Sequence, residues 1–274
     1  MGELWYKVEG KGNPILLIHG GPGLDHSYFL PYLSPLAKWF SLVYLDLPGQ
    51  GRSPEPASLR GYSIKEAAKS VKELVEKLSF DKVSLLGHSY GGFVSLRFAF
   101  DYPELLTTLI LVSTAGSNRY RYRTIERFYQ KAPDEMLREA EAFSEMESFG
   151  EEELKRSFRT FLPFLFHQPP PPKELDAMTE RIRFSPIANR FFNLFELPSF
   201  DFEKELPLIN TPTLIISGKH DNNIPLEEGE RLYRLMPNAK LVIFEKSAHF
   251  PFIEENERFL SEVRGFLSSY LKGC

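Results

Sequence analysis

Short apolar runs recur along the chain at Ile15–Ile18, Leu42–Leu45, Val83–Leu86, Leu109–Val112, Leu214–Ile216 and Leu241–Phe244, each bounded by Gly, Pro, Asp or Lys. A half-wet strand alternates apolar and polar residues. Unbroken apolar runs of this length instead fit strands covered on both faces, as in a parallel sheet. Helical patterns lie between them. Ile64, Ala67, Ala68, Val71, Leu74, Val75 and Leu78 step by threes and fours, the stripe of an amphipathic helix, with Ser63 and Glu66 as a capping box at its start. Phe259, Val263, Phe266, Leu267 and Tyr270 predict a closing helix. Strand–helix alternation at both ends predicts an α/β fold: a mostly parallel central sheet flanked by helices and joined by right-handed crossovers.

The middle departs from this pattern. From about Ser117 to Phe200 there is little strand signal, Pro169–Pro172 interrupts whatever precedes it, and the stretch holds half of the 24 Phe. The expected organisation is a core of residues 1–115 and 201–274 with a helical cap inserted at 116–200. Its phenylalanines are expected to build a core of their own and to line a cavity over the carboxyl edge of the sheet, where open α/β sheets bind ligands.

Composition removes several classes. With 33 Lys+Arg against 37 Asp+Glu, the net charge of -4 argues against a nucleic-acid partner. No apolar run approaches the ~18 residues of a membrane span. The one cysteine, Cys274, excludes an internal disulfide framework and a thiolate zinc site. The N-terminus shows no basic stretch followed by an apolar region, and Tyr6 stands where acylation of Gly2 would want Ser or Thr, so a cytoplasmic protein is expected.

Gly87-His88-Ser89-Tyr90-Gly91 follows one strand run and precedes a helical stretch. Glycines at both flanks let the backbone turn sharply, so that a serine there projects at a helix N-terminus, where backbone amides stabilise negative charge. A serine hydroxyl needs a base, and the base needs an orienting acid. His249 lies just beyond the run Leu241–Phe244, and Asp221 just beyond Leu214–Ile216. The order Ser89, Asp221, His249 is that of a strand-end catalytic triad. An oxyanion hole is expected in His19-Gly20-Gly21-Pro22-Gly23, with Gly21 N–H as one donor and Tyr90 N–H as the other.

These segments, with Asp46-Leu47-Pro48-Gly49-Gln50-Gly51-Arg52-Ser53 and Gly218–Asp221, resemble the α/β-hydrolase superfamily over nearly the whole chain outside the insert. The His19–Gly23 pentapeptide and the Gly87–Gly92 elbow are similar to those of proline iminopeptidases. The resemblance implies a serine hydrolase that forms an acyl-enzyme and uses no cofactor or metal. It implies an aminopeptidase for N-terminal proline, with a carboxylesterase or lactonase as the alternative and a non-catalytic receptor as a third possibility. A small molecule or short peptide is the implied partner. In that branch acidic cap residues hold the substrate amine. Glu141, Glu145 and Glu147 are candidates here, but a solvated helix face is the better explanation of them, and Asp46–Gly49 departs from the branch's usual polar turn.

Other residues carry structural expectations. Asp25 and His26 would cap the next helix, His19 would scaffold its loop and His88 would sit beneath the elbow. His220 would face outward, and Arg119, Arg121, Arg123 and Arg127 would form a solvated or hinge-binding face. Gly49–Ser53 lacks the lysine of a phosphate loop, so nucleotide binding is not expected.

Overall fold

A computed structural model describes residues 3–146 and 148–271, so Gly2, Glu147 and Cys274 lie outside the described residues. The six apolar runs form β2 (Pro14–Ile18), β3 (Ser41–Leu45), β4 (Val83–His88), β5 (Leu106–Val112), β6 (Thr213–Gly218) and β7 (Ala239–Phe244). A further strand, β1 (Tyr6–Glu9), escaped the pattern because its positions are only half-buried or exposed. It pairs antiparallel with β3 at the sheet edge, and all other pairings are parallel, giving the order β1-β3-β2-β4-β5-β6-β7.

Successive side chains of a strand point to opposite faces, and that alternation divides each apolar run between two cores. Leu16, Ile18, Val43, Leu45, Leu109 and Leu111 pack on one side against α1 (Ile64–Lys77) and α2 (Tyr90–Asp101). Ile15, Leu17, Leu42, Tyr44, Ile110 and Val112 form the other core with Phe259, Val263 and Leu267 of the C-terminal helix. Ser63 begins α1 as expected, its hydroxyl accepting the Glu66 N–H at 3.2 Å.

Five helices separate β5 from β6: α3 (Tyr120–Lys131), α4 (Asp134–Ser144), α5 (Glu151–Phe161), α6 (Pro172–Arg181) and α7 (Pro186–Phe191), the last running on as a π-helical stretch, Phe192–Glu196. Proline begins α6 and α7, where its missing N–H costs nothing. Among the described residues this helical cap has no isolated core, contrary to the expectation. Leu154, Leu162, Phe166, Leu175 and Phe184 join one sheet core, and Phe192, Leu197 and Phe200 join the other. A segment that alone buries too little apolar surface to be stable gains that burial by docking. After β6 come α8 (Leu226–Leu235), the short α9 (Pro251–Glu254) and α10 (Asn256–Tyr270).

Helix α2 packs so closely on β2 that a Cβ on Gly91 would collide with the Ile18 carbonyl oxygen, a backbone atom that cannot rotate away. Gly91→Ala is therefore expected to cost about 1–3 kcal/mol. Exposed Gly265 within α10 has nothing within 4 Å of a built Cβ, and Gly265→Ala should stabilise the protein by about 0.5–1 kcal/mol. Denaturant midpoints of the two variants against the parent check both signs.

Candidate active site

Ser89 occupies the reversal between β4 and α2 with φ 54° and ψ -119°, a region costing a non-glycine residue about 1–3 kcal/mol. Three hydrogen bonds fix it: Ser89 N–H donates to Val112 O at 2.9 Å, and Ser89 O accepts from Thr114 Oγ1 at 2.8 Å and from Gly92 N–H at 2.8 Å. The neighbouring strand end thus clamps the strained peptide from both sides.

The loops after β6 and β7 bring Asp221 and His249 together in the buried interior, with His249 Nδ1 2.8 Å from Asp221 Oδ2. Asp221 Oδ1 accepts the N–H groups of Asn223 at 2.8 Å and Ile224 at 2.9 Å, so the carboxylate is orientated from both oxygens. The other imidazole nitrogen, Nε2, lies 3.4 Å from Asn223 Nδ2. Ser89 Oγ forms no hydrogen bond with His249 among the described residues, yet both line one cavity. In catalytic sites without substrate, hydrogen bonds of this kind are often long.

Gly21 adopts φ 55° after β2, and its N–H and that of Tyr90 have no acceptor among the described residues. Gln50 Oε1 accepts the Gly23 N–H at 2.7 Å, and the Asn189 amide donates to Pro22 O at 3.0 Å. Neither partner of this loop was visible in the sequence pattern, because both contacts join residues distant along the chain.

The remaining histidines organise the site. His88 Nε2–H donates to His249 O at 2.9 Å, which leaves His88 Nδ1 to accept from Tyr28 O–H at 2.9 Å; Tyr28 Oη in turn accepts the Gly20 N–H. One chain of hydrogen bonds therefore joins the Gly20–Gly21 loop to the His249 loop. Burial, helped by the neighbouring His249, pushes His88 well below the usual histidine range, so it stays neutral. Burial likewise lowers His19, whose Nε2 accepts the Leu47 N–H at 3.1 Å. His220 is exposed and stacks on His167.

The cap touches each loop of the site. Leu165 O accepts the His249 N–H at 2.9 Å, Arg127 Nη1 donates to Asp221 O at 3.0 Å, and Ser185 N–H donates to Gly23 O at 2.8 Å. Glu254 accepts His167 N–H at 2.7 Å on one oxygen and Ala248 N–H at 2.7 Å on the other; burial raises its pKa against the pull of these donors.

Two cavities meet at Ser89. One, of about 450 Å³, contains His249 and is walled by Phe143, Leu154, Phe158, Phe161 and Phe250. The other, of about 310 Å³, contains Tyr90 and is lined by Arg121 and Thr124 as well as aromatic rings. Gly21, Pro22, Asn189, Asn193 and Asn223 border both. No described residue lining either cavity is acidic. Glu141 and Glu145 are exposed and line neither.

Asp25, His26 and Asp46 place ligand-type atoms within 4.8 Å of one another. The four carboxylate oxygens and His26 Nδ1 are already engaged. Asp46 Oδ1 accepts from His26 N and Nδ1, Asp46 Oδ2 accepts the Arg52 N–H, and Asp25 accepts the N–H groups of Ser27 and Arg183. This is a junction bracing the loop after β3 against the cap, with Asp25 capping the next turn as expected, and its satisfied atoms do not fit a metal site.

A family model described as alpha/beta hydrolase fold matches residues 13–256. A proline iminopeptidase of Saccharolobus solfataricus is 28% identical over 96% of this chain and 87% of its own. A pimeloyl-[acyl-carrier protein] methyl ester esterase of Aliivibrio fischeri is 24% identical over 98% of each chain. The solved structure of an alpha/beta fold family hydrolase from Bacillus anthracis superposes with TM-score 0.82 at 25% identity, covering 97% of this chain and 96% of the other.

The lowered pKa values of His88 and His19 set a direction for stability against pH. Folding keeps both neutral, whereas the unfolded chain takes up protons as pH falls through ~6.5. Their contribution is complete above that pH and is lost as pH falls toward the folded values, by at most about 1.4 kcal/mol per pH unit for each. Thermal melts should show Tm dropping from pH 7.5 toward 5.5, with a shallower slope in His88→Gln.

Proposed function

Because the chain belongs to the alpha/beta hydrolase fold family and is a hydrolase, we propose that it is a serine hydrolase acting on esters of small or aromatic acids. We take residues 116–200 as the cap over a core of 1–115 and 201–274. The observation that carries the reading is the meeting of two cavities at a strained serine whose wall also holds a buried His–Asp pair.

In this mechanism Ser89 Oγ attacks the ester carbonyl while His249 Nε2 takes its proton, the imidazole leaving its long contact with Asn223. Asp221 fixes the Nδ1–H tautomer and stabilises the imidazolium. The Gly21 and Tyr90 N–H groups receive the oxyanion, each worth on the order of 100-fold or more in rate. His249 returns its proton to the departing alkoxide, and a water activated by the same nitrogen then releases the acid and frees Ser89. His88, neutral and facing His249 O, adds no competing positive charge.

A second reading, removal of N-terminal proline, is favoured by the 28% identity to a proline iminopeptidase. The cavity chemistry favours the ester. A free ammonium group brought into either cavity would lose water without meeting a carboxylate among the described lining residues, and in the smaller cavity it would face Arg121.

Ser89→Ala should lower ester turnover by about four to six orders of magnitude while the protein stays folded by circular dichroism. A fluorophosphonate should add to Ser89 in the parent and not in the variant, read by mass spectrometry. In a substrate panel, 4-nitrophenyl acyl esters should exceed proline 4-nitroanilide in kcat/KM. An arylamide turned over faster than the esters would establish the aminopeptidase reading instead.

A further inference from the structure

Four arginines open the cap, and three are neutralised. Arg119 lies 3.6 Å from Glu203, Arg123 lies 4.0 Å from Glu227, and Arg127 bonds Glu227 at 2.9 Å. Arg121 differs. Its guanidinium has no ion pair or hydrogen bond with a described residue, and it lines the 310 Å³ cavity that opens on Ser89. Two carboxylates that act on tyrosines of this wall stand outside the cavity. Glu196, which acts on Tyr90, accepts the Ile64 N–H at 2.9 Å, and Glu228, which acts on Tyr120, is buried; neither lines the cavity. Asn193 and Thr124 add polar groups to the same wall.

The chemistry at Ser89 assigns the two cavities. The departing oxygen must collect its proton from His249, so the leaving group occupies the cavity that contains His249, the apolar one walled by Phe143, Phe158 and Phe161. The acyl part then lies in the other cavity, beside Tyr90 and Arg121, with Gly21 at the junction of the two. From these placements we infer that the physiological substrate is an ester whose acyl part carries a carboxylate or similar anion recognised by Arg121, and whose alcohol part is apolar. The inference rests on the serine-hydrolase reading and names its substrate class. It also reassigns Arg121 from a solvated face to the substrate site.

Chromogenic half-esters of dicarboxylic acids test this directly. The 4-nitrophenyl half-esters of adipic and suberic acid are compared with methyl-terminated 4-nitrophenyl esters of equal length, after subtraction of enzyme-free hydrolysis. Arg121 is solvent-exposed, so the expected preference in kcat/KM for the anionic member of a pair is modest, about five-fold at low salt. It should shrink as salt is raised. Arg121→Gln should bring the ratio to one or below, Arg121→Lys should restore part of it, and Arg123→Gln, at a residue already paired with Glu227, should keep the parental ratio. Equal rates within each pair in the parent, or a parental ratio surviving in Arg121→Gln, would overturn the inference and leave the esterase reading intact. Failure of every ester would instead sink the esterase reading together with this inference.

Discussion

The geometry of the candidate site depends on one strained peptide unit, the positive-φ backbone of Ser89 between β4 and α2. A side-chain-bearing residue stays there only if its surroundings over-determine it, and here both its N–H and its carbonyl are held by the end of the adjacent strand β5 and the residues that follow. The close approach of α2 to β2 at Gly91 fixes the helix that follows. With strand and helix pinned, the serine oxygen has nowhere to project except over the carboxyl edge of the sheet. The glycine-rich loop after β2 and the loops after β6 and β7 reach the same edge because the strands run parallel.

The cap is part of this arrangement rather than a lid laid over it. Its apolar side chains continue the two sheet cores, and its backbone carbonyls, amides and guanidinium groups bond the Gly23, Asp221 and His249 loops. The segment that shapes the cavities therefore also positions the loops that carry Asp221 and His249. A change in cap sequence would act on turnover as well as on substrate choice, through contacts of about 3 Å that tolerate little displacement.

Charge is distributed to the same end. His88 and His19 are kept neutral by burial and serve as hydrogen-bond links, so the one buried imidazole aligned with a carboxylate in the shared cavity is His249. Most of the cap's first basic cluster is neutralised against Glu203 and Glu227, and the unpaired cation remains at the cavity wall. Asp25, His26 and Asp46 look like ligands when only their types are considered, but their atoms are consumed in bracing neighbouring loops.

The six inner strands, helix α1 and the strand ends bearing Ser89, Asp221 and His249 were legible in the sequence because their signals are local: an apolar run, a three-and-four stripe, a glycine flanking a turn. Edge strand β1 was not, since a half-exposed strand has no apolar run to announce it. The cap read correctly as helical and wrongly as self-contained, because the period of a helix says which face is apolar and nothing about what will cover it. Which arginine is left without a partner, and which cavity holds the imidazole, were decided by tertiary structure alone. The sequence determined which chemical groups each strand end would carry; only packing between residues as far apart as Asn189 and Pro22, or His88 and His249, decided their geometry, since a contact across such separations leaves no local pattern in either segment.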